Sequence, residues 1–171
     1  MTTPSEAHYS LILRCAGNTL ALPLAQVVEV VLVVAPAAPL LRAPRYCLGA
    51  VDYHGQLVPL IDLAARLGLL PPRTVLDLPE GRIVMLQGRV GLVGYLVDEV
   101  LEVCEEPAEP LALTEQTLVP LGGLLRGMVR YRTGLVAPLL APGALLPVVA
   151  GERLRKALAE LATARGPELP G

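Results

Sequence analysis

The feature that most constrains the fold of this chain is an internal repeat. Residues 17–30, GNTLALPLAQVVEV, align without a gap on residues 90–103, VGLVGYLVDEVLEV. Residues 49–61, GAVDYHGQLVPLI, align in the same way on residues 127–139, GMVRYRTGLVAPL. The two blocks recur in the same order, the first after 73 residues and the second after 78. Composition alone does not produce such order, so the sequence predicts two similar structural halves.

These halves are expected at residues 8–75 and 82–147, within one domain at residues 8–150. Each contains short runs rich in Val and Leu, broken by the 16 Gly and 17 Pro of the chain. This pattern is typical of strands of about five residues joined by turns. A small antiparallel barrel is therefore predicted for each half. Two copies are too few for a solenoid, which needs shorter units in larger number.

The composition narrows the class of function. Hydrophobic residues make up 53% of the chain and charged residues 18%, which excludes a disordered protein. The net charge of -2 gives no electrostatic reason to expect nucleic-acid binding. Cys15, Cys47 and Cys104 are far apart and lack the spacing of a disulfide framework or a zinc site. We expect free thiols in a reducing cytoplasm, and no cofactor.

The two ends of the chain have distinct patterns. Residues 1–7 are polar and lack a targeting signal, so we expect a disordered N-terminus and a cytoplasmic protein. Residues 151–165 place Leu154, Leu158 and other apolar side chains at helical spacing, which predicts an amphipathic helix. Residues 166–171 begin with Gly-Pro, which ends the helix and leaves a short tail.

One uncharged stretch, residues 133–151, approaches membrane-spanning length. Pro138, Pro142 and Pro147 interrupt it. Each interior proline would remove a helical hydrogen bond and clash with the preceding turn. We expect a buried strand followed by a proline-rich turn here, and no direct membrane insertion.

Two aspartates and a histidine in the segment GAVDYHGQLVPLIDL raise the question of catalysis. Asp52 and His54 lie at a predicted hairpin bend, and Asp62 lies eight residues after His54, so the three side chains form a hypothetical acid–base site. The alternative is that Asp52 and His54 face solvent or a partner at the end of a strand. A metal site would lack a nearby third ligand, and no nucleophile or nucleotide-binding motif is present. We therefore expect a binding protein rather than an enzyme, and keep a small hydrolase using these three residues as an alternative.

Five segments, taken in order, resemble the signature elements of the CheW-like family. GAVDYHGQLVPLIDL at residues 49–63 resembles G-x-x-N-x-R-G-x-[VI]-[VL]-P-[VI]-[VI]-D-L, and APRYCLG at residues 43–49 resembles the lead-in to that element. LALPLAQVVEV at residues 20–30, VGYLVDEVLEV at residues 93–103 and LRGMVRYRTGLVAPL at residues 125–139 are similar to three further elements. The five segments lie between residues 20 and 139, and the resemblance extends over nearly all of the region from Tyr9 to about Leu146.

The resemblance implies both a fold and a role. The fold is mainly β, with two small intertwined five-stranded SH3-like antiparallel barrels, short connecting helices and a C-terminal helix. The role is that of a non-catalytic adaptor that couples chemoreceptors to a CheA-type histidine kinase in a chemotaxis or chemosensory array for flagellar or pilus motility. The implied partners are the regulatory domain of the kinase and the cytoplasmic helical tip of the receptor, at membrane-associated arrays. The alternative within the family is a scaffold that binds a receptor or motility regulator without a kinase.

The resemblance also assigns roles to individual residues. The receptor-facing valine and glutamate of the family fall on Val27 and Glu29, and the arginine of the N-x-R-G bend falls on His54. Asp52 stands where the family usually has asparagine, so Asp52 and His54 depart from the pattern and complete the implied receptor-facing set. The residues implied to form fold-signature turns are Gly49, Gly55, Pro59, Asp62 and Gly127.

Overall fold

The computed structural model describes residues 8–105, 123–132 and 134–165, and its architecture is mainly β. The predicted disordered N-terminus and C-terminal tail lie outside the described residues. The strands are β1 (Tyr9–Cys15), β2 (Asn18–Pro23), β3 (Val27–Leu32), β4 (Cys47–Tyr53), β5 (Gln56–Asp62), β6 (Arg82–Gly88), β7 (Gly91–Val97), β8 (Glu99–Glu105), β9 (Leu125–Tyr131) and β10 (Leu135–Leu140).

The strands form two five-stranded barrels whose orders mirror the sequence repeat. Barrel 1 has the order β3-β6-β7-β5-β4, and barrel 2 has the order β8-β1-β2-β10-β9. Exchanging each strand of one half for its equivalent in the other half converts one order into the other. Each barrel therefore takes strands from both halves of the chain, and neither half contains a complete barrel. The halves are intertwined, as the resemblance implies.

The exchange of strands changes one feature of the predicted barrels. Most neighbouring strands are antiparallel, but β5 pairs with β7, and β10 with β2, in parallel. Both parallel pairs join a strand of one half to a strand of the other. A purely antiparallel barrel was therefore the wrong expectation at these two positions, because a barrel assembled across the halves is not a succession of hairpins.

The apolar side chains form three cores. The interior of barrel 1 contains Leu48, Val51, Val58, Leu60, Ile83, Met85 and Leu96. The interior of barrel 2 contains Ile12, Ala21, Val129, Tyr131, Ala137 and Leu139. The third and largest core includes residues of both barrels and of the helices, among them Leu13, Leu22, Ile61, Val84, Leu145 and Leu154. Because the third core contains side chains from both barrels, we expect the barrels to unfold together.

The described part of the chain has three α-helices: two of four residues each, α1 (Leu63–Arg66) and α2 (Pro142–Leu145), and one of 18 residues, α3 (Val148–Arg165). The C-terminal helix therefore begins at Val148, three residues before the predicted start. The physical reason is Pro147, whose carbonyl accepts the first helical hydrogen bond from the Gly151 N–H at 2.9 Å. Proline is tolerated at such a position because its missing N–H has no helical partner there.

Residues of the repeat that were expected in turns lie mostly in strands. Gly55 lies in the β4–β5 turn with a φ of 82°. The prediction was wrong for the other four residues, Gly49, Pro59, Asp62 and Gly127, which lie in β4, β5, β5 and β9. The two glycines lie instead where the register of the β4–β5 and β9–β10 pairs shifts. Such bulges bend a strand, and Gly49 has a φ of 133° that favours glycine.

Asp62 closes β5 by an ion pair rather than by a turn. Its side chain is fully buried, and both carboxylate oxygens accept hydrogen bonds from Arg73, at 2.8 and 2.9 Å. Arg73 lies in the segment that connects α1 to β6. The buried carboxylate therefore fixes this connection to the body of the protein.

No helix in the part of the chain that the structure describes is both long and apolar enough to span a membrane.

Candidate partner-binding surface

The candidate site lies where the two ends of the barrel 1 sheet meet. β3 and β4 are the first and last strands of that sheet. The Tyr53 hydroxyl of β4 donates a hydrogen bond to the Glu29 carboxylate of β3. His54 Nε2 lies 3.6 Å from the same carboxylate. Glu29 on β3 therefore links the two edges of the sheet, because it contacts Tyr53 of β4 and His54 directly after β4.

The β4–β5 turn presents His54 to solvent. His54 and Gly55 have φ values of 50° and 82°, which is typical of a two-residue hairpin of type I′. The Asp52 carboxylate accepts a hydrogen bond from the Gly55 N–H at 2.9 Å, so this side chain stabilises the turn. The His54 side chain remains 76% exposed and packs edge-on against the Tyr53 ring, with 4.4 Å between ring centroids. The prediction of an exposed polar residue at the bend is confirmed.

A bulge in β3 sets the direction of Glu29. Val27 and Glu29 pair with adjacent residues of β6, which leaves Val28 out of register. A bulge of this kind re-aims the following side chain. The equivalent strand β8 has the same bulge at Leu101, directly before Glu102. The repeat therefore preserves the irregularity that positions each glutamate.

Exposed apolar side chains lie on the same strand as Glu29 and just after it. On β3, Val27 is half-buried, while Val28 is 53% exposed and Leu32 is 65% exposed. Val34, just after the strand, is also exposed. Exposed aliphatic side chains on an edge strand favour contact with another protein.

The electrostatics of the cluster depend on Glu29. The hydrogen bond to Glu29, followed by desolvation and the charge of the carboxylate, raises the pKa of Tyr53. The phenol therefore keeps its proton and remains a donor to Glu29. About half of the Glu29 side chain is exposed, so a partner has access to the same carboxylate.

Barrel 2 repeats the arrangement with an arginine in place of the histidine. Arg132 lies at the position equivalent to His54 and has almost the same φ, 49°. Arg132 Nε lies 3.3 Å from Glu102, which is the equivalent of Glu29. The chain therefore carries two glutamate–turn pairs, one at each barrel.

The structure does not bring together the three residues of the hydrolase hypothesis. Asp52 and His54 share the β4–β5 turn, but Asp62 lies at the far end of β5. Six steps along a strand separate Asp62 from Gln56 at the turn, which is about 20 Å. Asp62 is also fully buried in its ion pair with Arg73. The alternative hypothesis that Asp62 approaches His54 is therefore contradicted, because β5 runs away from the turn.

Within residues 8–105, 123–132 and 134–165, no group of three or more His, Cys, Asp or Glu side chains is arranged to hold a metal ion. What this surface offers chemically is a carboxylate, an imidazole and a phenol around an apolar rim. Such groups suit recognition of a protein surface by hydrogen bonds and hydrophobic contact.

Sequence reasoning missed the role of Tyr53. The residue was visible as a repeated position, since Tyr53 matches Tyr131, but its partner Glu29 lies 24 residues away. Only the meeting of β3 and β4 brings the two together. The available sequence signal for this contact was that both residues lie in repeated patterns, Glu29 in V-x-E-V and Tyr53 in V-x-Y.

Comparisons with known proteins agree with this geometry. Residues 10–150 match the sequence model of the CheW-like domain. A probable chemotaxis protein CheW of Rhizobium etli is 39% identical over 80 residues, which are 44% of this chain and 48% of the relative. The chemotaxis protein CheW of Rhizobium meliloti is 34% identical over 68 residues, which are 40% of this chain and 42% of the relative. The chain thus spans about half the length of the curated relatives that it matches, or less.

The fold has a close counterpart among solved structures. The scaffolding protein TtCheW from Thermoanaerobacter tengcongensis superimposes with a TM-score of 0.67, over 88% of this chain and 96% of that protein. The two are 19% identical, so this likeness concerns the fold alone. The domain match covers most of the chain in sequence, and the chain belongs to the CheW-like family.

Proposed function

We propose that this protein is a non-catalytic scaffold of a chemotaxis or chemosensory system that couples chemoreceptors to a CheA-type histidine kinase. The CheW-like domain and the names of the chemotaxis relatives support the scaffolding role. The surface around Glu29 supports a role in binding another protein, because it combines exposed aliphatic and hydrogen-bonding groups. The single observation that carries the proposal is that the half-exposed Glu29 carboxylate contacts Tyr53 and His54 at the seam of barrel 1, where β3 meets β4.

The receptor is proposed to bind the surface formed by Val27, Glu29, Asp52 and His54. A helical receptor tip would place apolar side chains against the aliphatic rim of β3 and a donor group against Glu29. The Glu29 carboxylate already accepts from Tyr53, and its remaining lone pairs are open to such a donor. Asp52 contributes indirectly, because it holds the turn that carries His54.

The kinase is proposed to bind through its regulatory domain, by strand-edge and hydrophobic contact. Exposed aliphatic side chains are also present on barrel 2, at Val103, Leu135 and Val136. Because such contacts are mainly apolar, binding should depend only weakly on salt. The protein would then act in the cytoplasm at membrane-associated receptor arrays, which it would reach through its partners.

A charge reversal at Glu29, with a matched control, tests the receptor surface. Glu29→Lys is expected to weaken binding to a chemoreceptor tip from the same organism at least about tenfold. The substitution replaces the hydrogen-bond acceptor by a cationic donor, which cannot accept from the donor group of the receptor. The control is Glu102→Lys, which makes the same change at the equivalent position of barrel 2. Binding is measured by titration of the purified receptor fragment. If both variants bind as the wild type does, Glu29 does not face the receptor.

A further inference from the structure

A second surface, unrelated to the cluster at Glu29, lies between the C-terminal helix and the linker from β3 to β4. This helix groove has a volume of about 390 Å³. It is lined by Leu41, Arg42, Arg153, Lys156, Ala157 and Glu160. Two elements that are far apart in sequence therefore build one concave surface.

The groove is basic and its cations are available. Arg42 extends from the linker, and Arg153 and Lys156 extend from α3. All three are exposed, and none of them forms an ion pair with another residue of the described part of the chain. Glu160 is the one carboxylate among the residues that line the groove. With three cations and one carboxylate, the lining carries an excess of positive charge, and a concave surface of this kind attracts an anionic partner.

The linker side of the groove also presents an apolar side chain. Leu41 is 77% exposed, although its neighbour Leu40 packs against the core between the barrels. The next residue, Arg42, has a φ of 62°, in a region that non-glycine residues seldom occupy. Ala157 of α3 is buried at the floor of the same groove. The surface therefore combines positive charge with an apolar contact.

From these observations we infer that the helix groove docks an acidic peptide segment of another protein, with an apolar side chain placed between carboxylates. Charge complementarity selects this occupant. An anionic membrane fits less well, because the three cations line a concave surface between the linker and α3 rather than a flat face. A second copy also fits less well, because Glu99 and Glu102 on its acidic strand β8 are already paired with arginines.

A short acidic peptide tests the inference directly. The probe is a fluorescent peptide of sequence EELEELEE, and its control is QQLQQLQQ, which keeps the leucines and removes the charge. The acidic peptide is expected to bind the full chain more tightly than the control does. Its binding should weaken as the salt concentration is raised from about 50 to about 500 mM. Equal binding of the two peptides overturns the inference.

Two arginines of α3 supply a matched pair of variants. Arg153 lines the groove, whereas Arg155 lines a separate cavity beside Val90 and Tyr95. Arg153→Glu is expected to weaken binding of the acidic peptide at least about fivefold, and Arg155→Glu less than about twofold, since long-range charge effects are screened. Lys156→Glu is a second variant of the groove, in case Arg153→Glu does not fold. Equal losses for Arg153→Glu and Arg155→Glu contradict a defined groove.

The other occupants have their own measurements. Vesicles of phosphatidylserine and phosphatidylcholine are tested by flotation, and self-association is tested by sedimentation velocity without peptide. The inference predicts neither vesicle binding nor self-association that depends on Arg153. Either of these, found without binding of the acidic peptide, overturns it in favour of a membrane or a second copy.

Discussion

Glu29 and Tyr53 lie on the two outermost strands of the barrel 1 sheet, and the Tyr53 hydroxyl donates a hydrogen bond to the Glu29 carboxylate. The residue that we propose to face the receptor is thus also part of the seam that closes the barrel. Binding at Glu29 would therefore act on the closure of the barrel as well as on the surface. In barrel 2, Glu102 contacts Arg132, which is the equivalent of His54, so barrel 2 provides an internal control for experiments on Glu29.

The buried ion pair of Asp62 and Arg73 makes a strong prediction for stability. Arg73→Ala leaves a fully buried carboxylate without its partner, and is expected to lower the free energy of unfolding by about 3–5 kcal/mol. Arg14→Ala is the control, because the Arg14–Glu99 pair is about half exposed and is expected to contribute less than about 1 kcal/mol. Urea unfolding measures both. Similar losses for the two variants would show that Asp62 does not depend on Arg73.

His54 is expected to accept arginine without loss of stability. The side chain is mostly exposed, and Arg132 adopts nearly the same backbone conformation at the equivalent turn. His54→Arg should change the free energy of unfolding by less than about 0.5 kcal/mol. His54→Val should lower it by about 1–2 kcal/mol, because a β-branched side chain is strained at a positive φ. Thermal unfolding distinguishes the two, and a large loss for His54→Arg would mean that this side chain supports the fold.

Gly49 is predicted to be the most sensitive glycine of the repeat. A Cβ atom there would lie 2.6 Å from the Ala38 carbonyl oxygen, and the φ of 133° disfavours any other residue. Gly49→Ala is expected to lower the free energy of unfolding by about 2 kcal/mol or more. Gly88→Ala is the control, because open space surrounds that position. In urea, the free energy of unfolding of Gly49→Ala should be well below that of Gly88→Ala. The reverse order would contradict the close contact between Gly49 and Ala38.

Cys15 should resist thiol reagents in the folded protein. Desolvation by burial, followed by the charges of Asp98 and Asp62, raises the pKa of Cys15 to about 12. The folded state therefore holds the thiol proton more tightly than the unfolded state, so this contribution to stability is complete below about pH 9 and is lost as the pH rises towards 12. At pH 8, alkylation followed by peptide mass spectrometry should modify Cys15 only in denaturant. Rapid modification of the native protein would contradict this burial.

The strands were largely predictable because their signal is local. β1, for example, ends where its apolar run meets Ala16 and Gly17, and that boundary is visible in the sequence alone. The hairpin at His54 and Gly55 was predicted for a similar reason. The repeat itself implied that the two barrels have the same architecture, because equivalent residues in the two halves are expected to occupy equivalent structural positions.

The pairing between halves was not available from local pattern. A strand such as β3 has the same apolar alternation whether it pairs within its own half or with β6 of the other half. The bulges at Val28 and Leu101 and the ion pair of Asp62 with Arg73 likewise depend on contacts between distant segments. The exchange was therefore implied by the family resemblance and not by residue spacing. The position of Asp62, buried at a strand end, needed the structure.

The central claim is that this protein couples a receptor to a kinase. The most direct test mixes receptor-containing nanodiscs with a CheA-type kinase of the same organism, with and without this protein, and measures the kinase that sediments with the receptor. The wild-type protein is expected to recruit the kinase to the receptor. Glu29→Lys is expected to bind the kinase without recruiting it, whereas Glu102→Lys should still recruit it. Sedimentation of the kinase to the same extent without this protein, or no binding of the kinase to the wild-type protein, would contradict the proposed coupling of receptor and kinase.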